Sequence, residues 1–162
     1  MNDMENKRIL GIDPGYANTG FGIVDFINGT MKLVGYGVIE TDNSMTHSKR
    51  LLEIFNGIET VIEKYKPNEC AMEDLFFGKN ASSAMNVSEA KGVVTVALEK
   101  NSIPLFMYKP NQIKSSVTGT QSADKDTVER YVQILLRLKE KPNPDHAADA
   151  LAMAITHINH SR

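Results

Sequence analysis

The dipeptide Asn28-Gly29 constrains the fold most strongly, because these two residues favour the two-residue turn of a β-hairpin. Apolar runs over 19–27 and 31–41 flank it, and a third run over 8–13 precedes them. Short apolar runs bounded by turn residues are typical of buried or half-buried strands. The chain is therefore predicted to begin with three antiparallel strands in a meander.

Beyond these strands the apolar residues recur at spacings of three and four, which is typical of amphipathic helices. Helices are predicted over 46–65, 82–100, 128–135 and 144–160, and strands over 69–73 and 103–108. We expect Asn143 to cap the last helix, with Pro144 at its first position. The order βββ-α-β-α-β-α-α predicts an α/β fold, a mixed five-stranded sheet with helices on both faces.

Length and composition narrow the class of protein. With 162 residues, the chain is expected to form a single domain over 1–162. The single cysteine, Cys70, excludes an internal disulfide framework and a multi-cysteine metal cage. The polar start lacks a signal core, and the longest apolar stretch, 92–98, is too short to span a bilayer. We therefore expect a cytoplasmic protein that does not enter a membrane.

The charged residues are unevenly distributed along the chain. Residues 1–76 carry 7 basic and 12 acidic side chains, net −5, whereas residues 77–141 carry 10 and 6, net +4. The whole chain has a net charge of −2, so nothing global suggests a nucleic-acid binder. The separation is what a metal site beside an anion-binding surface would produce, although chance scatter on a solvated surface explains it equally well.

Two predicted strands end in a carboxylate. Asp13 closes the run 8–13, and Glu73 closes the run 69–73. Open α/β sheets place their ligand sites at the carboxyl ends of strands. A carboxylate there needs a cation, a hydrogen-bond network or solvent, because burying it alone is costly. One such acid is most simply a solvated strand end, whereas two on neighbouring strands indicate a site.

The last predicted helix carries further candidate residues. Its core stripe consists of Ala148, Leu151, Ile155 and Ile158. His146 and Asp149 form an i,i+3 pair nearly opposite that stripe, on a face that is usually exposed to solvent. Helical geometry does not decide whether Asp145 or His146 joins Asp149. His157 and His160 lie further along the polar side and are predicted to be surface residues or supports behind the site.

Three carboxylates and a neutral imidazole would form a hard, oxygen-rich donor set. Such a set suits Mg²⁺ or Mn²⁺ better than Zn²⁺. Two such ions can hold a phosphodiester between them, so that one activates a water for in-line attack and the other stabilises the leaving 3′ oxygen. Such a donor set is therefore compatible with metal-dependent hydrolysis of a phosphodiester.

Three segments together resemble the signature blocks of a known family. GIDPG over 11–15 with the NTGFGIV that follows it, MEDLFFGKN over 72–80 and HAADALAMAITH over 146–157 are similar to the blocks of the RuvC Holliday-junction resolvases. The resemblance implies an RNase H-like fold and a Mg²⁺-dependent, structure-selective endonuclease. Such an enzyme would resolve four-way DNA junctions by paired symmetric nicks in recombination and repair. The resemblance also implies a homodimer that works with the RuvA–RuvB branch-migration complex.

The same resemblance implies which side chains act. By position, Asp13, Glu73, His146 and Asp149 would be the catalytic residues and would bind two Mg²⁺ ions per subunit, with Mn²⁺ able to substitute. This assignment favours His146 over Asp145. A histidine must be neutral to bind a metal, so activity is expected to weaken as the pH falls towards about 6.5.

The resemblance extends to residues that would contact DNA. Phe76 matches the family's aromatic residue that inserts at the junction crossover, where stacking on a base is worth about 1–3 kcal/mol. Phe77 is interpreted as a core residue. Lys114 and Lys125 match basic positions near the cleaved phosphate, although surface lysines often serve solvation alone. Weaker candidates for phosphate contact are Lys79, Lys91 and Lys109.

Two positions depart from the family pattern. In VTGTQSADK over 117–125, Gln121 stands where the family usually has a second glycine. Asp74 follows Glu73 where we expect an amide or another polar residue, and it adds negative charge beside the candidate ligands. These departures leave the placement of the loop and the sequence preference of cleavage open.

Other functions are compatible with parts of the sequence. The strand ending in Asp13 and the glycine-bearing hairpin after it also resemble the first phosphate loop of actin-like and sugar-kinase-type ATPases. Those enzymes need two such domains, for which 162 residues leave no space. Another RNase H-like nuclease, acting on ribosomal RNA ends or on hybrid duplexes, is a second alternative, against which the block 146–157 argues. A junction protein that binds without cutting is a third, although all four ligand positions are filled.

Overall fold

The computed structural model describes residues 6–74 and 81–162, which are built around a five-stranded mixed sheet. The strands are β1 (Lys7–Asp13), β2 (Asn18–Ile27), β3 (Thr30–Glu40), β4 (Glu69–Glu73) and β5 (Leu105–Tyr108). Their order across the sheet is β3-β2-β1-β4-β5. The first three strands pair antiparallel, whereas β4 runs parallel to both β1 and β5. The predicted α/β class with a mixed five-stranded sheet is confirmed.

The turn between β2 and β3 forms at the predicted dipeptide. Asn28 and Gly29 have φ values of 50° and 75°, and Ile27 pairs with Thr30 across the turn. Positive φ at both central residues is the geometry of a type I′ turn, whose twist matches that of the flanking strands. This local preference sets the register of β2 against β3.

Five helices accompany the sheet in the part of the chain that the structure describes. They are α1 (His47–Tyr65), α2 (Ala81–Lys100), α3 (Pro110–Thr118), α4 (Lys125–Leu135) and α5 (Asp145–Ser161). The predicted order lacks α3, because nine residues are too few to produce a clear apolar period. Its local signals are Pro110 at the first position and Gln112, whose side chain accepts a hydrogen bond from the Lys109 N–H at 2.8 Å. None of the described helices is long and apolar enough to cross a membrane.

Several predicted boundaries differ from the structure by one to three residues, and the largest difference is at α4, which begins at Lys125 rather than at residue 128. Pro144 is the N-cap of α5 rather than its first residue, because its backbone is extended, with ψ near 177°; Asn143 therefore lies outside the helix. β5 begins at Leu105 rather than at residue 103. The chain still turns at Ser102, whose φ is 56°, and Pro104 has no N–H to donate to a neighbouring strand.

The apolar residues of the central strands form two buried layers, one on each face of the sheet. Leu10 and Ile12 pack in a cluster with α1 and α2, whereas Ile9 packs in a cluster with α3, α4 and α5. This arrangement follows from the alternation of side chains along a strand. At the C-cap of α4, Leu136 is buried because it lies four residues after the buried Val132, whereas Leu135 is exposed. Helices therefore cover both faces, as predicted.

The helix α5 is buried along most of its length, so the prediction of a solvent-exposed polar face is wrong for its second half. Thr156 and His157 are buried together with the predicted core stripe, and His157 is 1% exposed. The reason is that α5 lies between the sheet and α3 and α4. Gly11 permits this contact, since a Cβ atom there would stand 1.8 Å from the carbonyl oxygen of Ala150. His160, near the end of the helix, is exposed as predicted.

Candidate active site

Asp13 and Glu73 occupy the carboxyl ends of two neighbouring parallel strands. Ile12 of β1 pairs with Met72 of β4, so the two carboxylates follow at the same edge of the sheet. Because Ile12 and Met72 pack against α1 and α2, alternation turns the next side chains towards the face that α5 covers. The sheet therefore brings two of the predicted catalytic residues to one edge and one face.

The first turn of α5 supplies the two remaining predicted residues to the same place. Gly20 pairs with Asp13 in the sheet, and a Cβ atom on Gly20 would stand 2.1 Å from the carbonyl oxygen of His146. His146 Nδ1 lies 3.1 Å from Asp13 Oδ2, and the two side chains are 44% and 18% exposed. Asp149, one turn later, is partly buried. The close packing of α5 on β2 thus sets the contact between the imidazole and the strand-end carboxylate.

The carboxylates of Asp13, Glu73 and Asp149 share one electrostatic environment. Burial raises the pKa of all three groups. For Asp13, the hydrogen bond with His146 opposes this effect and the charge of Asp149 adds to it. The charges of Asp13 and Asp149 likewise add to the raised pKa of Glu73. The three groups therefore destabilise one another's charged forms, and a bound cation would relieve that repulsion.

This donor set fits a hard divalent cation. Mutually repelling carboxylates beside an accessible imidazole match the preference of Mg²⁺ and Mn²⁺ for oxygen ligands. Over residues 6–74 and 81–162, no group of three or more His, Cys, Asp and Glu side chains is already arranged to hold a metal ion. An ion would therefore have to turn these side chains towards a common point.

Lysines from three helices stand around the carboxylates. Lys125, at the start of α4, has its Nζ 3.4 Å from Asp149 Oδ2. The charges of Lys114 on α3 and Lys91 on α2 oppose the burial that raises the pKa of Glu73. The predicted basic positions 114 and 125 therefore lie beside the acidic group. Positive charge there is suited to binding an anion such as a phosphodiester.

Of the remaining predicted positions, Asp74, Gln121 and Lys109 are described by the structure. Phe76, Phe77 and Lys79 lie outside the described residues. Asp74 is half exposed, and its Oδ1 lies 3.7 Å from Lys91 Nζ, so a lysine accompanies the extra charge. Gln121 is exposed between α3 and α4 and does not adopt a positive φ, so its backbone there does not require a glycine. Lys109 is exposed just before α3.

Sequence reasoning misses a polar cluster beside the loop that follows Asp13. The Tyr16 hydroxyl lies 2.7 Å from His47 Nδ1, and His47 Nε2 lies 2.5 Å from Glu89 Oε2. The Arg50 guanidinium lies 3.8 Å from the centre of the Tyr16 ring, a cation–π contact. These contacts tie the loop to α1 and α2. No local signal could reveal them, because the residues come from three distant segments.

A second histidine–carboxylate pair, His157 and Glu69, lies at the opposite end of α5. The prediction that His157 lies at the surface is wrong, since the residue is buried. Since a carboxylate only accepts hydrogen bonds, His157 Nε2–H donates to Glu69 Oε2 at 2.6 Å. The Tyr108 hydroxyl lies 2.6 Å from His157 Nδ1, and Lys7 Nζ lies 2.6 Å from Glu69 Oε1. The Phe106 ring stacks on the imidazole with centroids 4.4 Å apart. Both ring nitrogens of His157 are thus engaged within the protein.

Comparison with known proteins identifies relatives that match most of the chain. A family model described as "Crossover junction endodeoxyribonuclease RuvC" matches residues 9–157. A protein of that name from Treponema denticola is 51% identical over 93% of this chain and 85% of its own length. Another from Chloroflexus aurantiacus is 46% identical over 93% of this chain and 92% of its own length. The family model extends across all three sequence blocks.

A solved structure agrees with this similarity. The structure "T. thermophilus RuvC in complex with Holliday junction substrate" superimposes with a TM-score of 0.92 at 33% identity. The match covers 96% of this chain and 95% of that one. The RNase H-like fold implied by the sequence blocks is therefore confirmed.

Proposed function

Because the chain belongs to the RuvC family of crossover junction endodeoxyribonucleases, we propose that it resolves four-way DNA junctions by paired symmetric nicks in recombination and repair. We assign the activity to one RNase H-like domain over 1–162. The observation that carries the proposal is the contact between His146 and Asp13 at a strand end beside the strand that ends in Glu73. The relative from T. thermophilus, whose structure contains a Holliday junction, supports the choice of substrate.

The residues that would hold divalent metal are Asp13, Glu73, His146 and Asp149, with two Mg²⁺ ions per subunit and Mn²⁺ as a substitute. Ions bound there would supply charge neutralisation at the scissile phosphodiester and would lower the pKa of an attacking water. The chain itself contributes the orientation of the ligands. Asp13 is held at the end of β1 by its pairing with Gly20, and His146 is held against it by the packing of α5 on β2.

Basic and aromatic side chains would bind the DNA around this site. Lys125 lies beside Asp149 and the charge of Lys114 acts on Glu73, so both lysines are suited to contact the phosphates next to the cleaved bond. We assign further contacts to the segment between β4 and α2, where Phe76 would stack at the crossover and Lys79 would bind a phosphate. Positive charge beside a carboxylate site lets the polyanion approach without repulsion.

Paired cutting requires two sites, and we propose that a homodimer supplies them. The groove between α1 and α2 is apolar and open to solvent, with Leu52 54% and Val96 61% exposed beside Phe55 and Val93. Contiguous exposed apolar surface of this kind is typical of an interaction site. A second copy of the chain is the occupant that would cover it. In the cell, we expect the dimer to act with the RuvA–RuvB branch-migration complex.

A cleavage assay with three substrates tests the proposed function. A synthetic four-way junction, a matched linear duplex and an RNA–DNA hybrid are incubated with the protein in Mg²⁺ and, separately, in EDTA. Only the junction with Mg²⁺ should yield paired nicks that a ligase can reseal. Cleavage of the hybrid at a comparable rate would favour a different RNase H-like nuclease, and turnover of ATP would favour a phosphotransferase.

Substitution of His146 tests the assignment of the ligands. His146→Asp keeps a group that can bind a metal, so it should retain much of the cleavage activity. His146→Ala removes that group and should slow cleavage by about tenfold or more. The measurement is the single-turnover rate on the junction at saturating Mg²⁺. An equal loss in both variants would show that His146 does not act as a ligand.

A further inference from the structure

Lys125 lies between two carboxylates of α5, and one of them is not a proposed ligand. Its Nζ is 3.4 Å from Asp149 Oδ2 and 3.6 Å from Asp145 Oδ2. Among the residues that the structure describes, these two acids are the ion-pair partners of Lys125. The ammonium group is therefore shared between Asp149, a proposed metal ligand, and Asp145, which has no role in the proposed metal binding.

The backbone explains why the three side chains meet. Asp145 and Asp149 are four residues apart on α5 and therefore lie on the same face, one turn from each other. Lys125 is the first residue of α4, whose N-terminus is fixed because the Asp124 side chain accepts a hydrogen bond from the Thr127 N–H at 2.8 Å. The lysine thus approaches the site from a fixed helix end. Its choice of partner depends on side-chain rotation alone.

A divalent cation on Asp149 changes the balance between these two partners. The ammonium group and the cation carry like charges and would stand a few ångströms apart, so each disfavours the other at that carboxylate. Asp145 is 67% exposed and remains free to pair with Lys125 one turn away. Without Asp145, the ion-pair partner left to Lys125 among the described residues would be the ligand itself.

We propose that Asp145 is a positioning residue that holds Lys125 at the edge of the site and takes over its ammonium group when a divalent cation occupies Asp149. This inference rests on the proposed function, since it takes Asp149 to be a ligand. Asp145 then keeps Lys125 from competing with the cation, and keeps it close enough to reach a phosphate of the DNA. Removal of the Asp145 charge should therefore weaken metal binding, but only while Lys125 is present.

A double-mutant cycle on the full-length, DNA-free protein tests this dependence. Mn²⁺ binding is measured by titration calorimetry and by the loss of the free Mn²⁺ electron paramagnetic resonance signal. The proteins are the wild type, Asp145→Asn, Lys125→Met and the double variant, with the melting temperature of each measured to verify folding. Asp145→Asn should weaken Mn²⁺ binding by about threefold in the wild-type background and should change it little in the Lys125→Met background.

Two further variants separate positioning from a general effect of charge. Glu129→Gln removes the same charge from the next turn of α4 without breaking an ion pair of Lys125, so it should leave the Mn²⁺ affinity nearly unchanged. Asp145→Glu keeps a carboxylate that can reach Lys125 and should restore affinity. A Glu129→Gln effect as large as that of Asp145→Asn would overturn the proposal, because charge alone would then account for both.

The remaining outcomes distinguish this inference from the proposed function. Equal weakening by Asp145→Asn with and without Lys125 would show that Asp145 acts as a ligand or as a distant charge, and would overturn the inference alone. Absence of Mn²⁺ binding by the wild type would overturn the proposed metal site, and the inference with it. A loss confined to the background that contains Lys125, together with rescue by Asp145→Glu, supports the positioning role.

Discussion

The two ends of α5 carry the same pair of chemical groups in opposite surroundings. Near its first turn, His146 lies 3.1 Å from Asp13, and the imidazole is 44% exposed. Near its last turn, His157 lies 2.6 Å from Glu69, and the imidazole is 1% exposed. The first pair has accessible atoms that could bind a ligand. The second pair has its atoms engaged by Tyr108 and Lys7, so it can only stabilise the fold.

The comparison shows that residue type alone does not distinguish a candidate active site from a contact that stabilises the fold. A histidine–carboxylate pair becomes a candidate active site when lone pairs remain free and neighbouring charges are unbalanced. It becomes a structural element when every buried polar atom has a partner, since an unpaired one would cost about 1–3 kcal/mol. The same helix presents both cases because one end meets the open edge of the sheet and the other is covered by Phe106 and β4.

The largest effect is expected from Asp13→Asn, in the exposed pair near the first turn of α5. The amide keeps the size of the side chain but removes the charge, so we expect cleavage of the junction to fall by at least about 100-fold. The fold and the binding of the junction should persist. The measurements are a single-turnover cleavage assay, a mobility-shift assay and circular dichroism. Cleavage at the wild-type rate would show that the site is misassigned.

In the buried pair near the last turn of α5, His157→Leu should instead lower the stability of the fold. The substitution removes the imidazole that contacts Glu69 Oε2 and the Tyr108 hydroxyl, although Lys7 still pairs with Glu69 Oε1, and we expect a loss of about 2–4 kcal/mol in the free energy of unfolding. Urea denaturation provides the measurement, with His160→Ala as a control because His160 is exposed on the same helix. A large loss of cleavage per folded molecule, without a loss of stability, would contradict the comparison.

Glu73→Gln should stabilise the metal-free protein at pH 7 by about 1 kcal/mol, as is common when a functional residue is removed. Burial and the charges of Asp13 and Asp149 raise the pKa of Glu73 in the folded state. A group with a raised folded-state pKa contributes stability at low pH that is lost as the pH rises through that value. The melting temperature without and with Mg²⁺ tests this, because the ion should stabilise the wild type more than the variant.

The smallest effect expected is a pH dependence of opposite sign at Glu69. Burial alone would raise its pKa, but Lys7 and His157 hold the pKa below its ordinary value. Its contribution to stability is therefore present above the unfolded value of 4.5 and is lost as the pH falls through the lower folded value. The free energy of unfolding should drop below about pH 4.5 in the wild type and less steeply in Glu69→Gln. Equal slopes would exclude Glu69 as the source.

Features that depend on residues adjacent in the sequence are predictable from the sequence. The hairpin at Asn28-Gly29 follows from the φ values that these residues tolerate, and the strand ends at Asp13 and Glu73 follow from where the apolar runs stop. Strand alternation then explains why both acids share a face. The sequence does not predict the nine-residue α3, because a helix of two or three turns shows too few repeats, and the position of Lys114 therefore does not follow from the sequence either.

The sequence by itself determined the order of every element except α3, the mixed sheet and the candidate carboxylates, because each depends on local spacing and on chain direction. Only the tertiary structure decided that His157 is buried, that His146 meets Asp13, and that Lys125 lies between two acids of α5. The physical reason is that these contacts join segments distant in the chain. They arise where a helix packs closely on a glycine-containing sheet, and the helical period alone does not show which of its faces the rest of the molecule will cover.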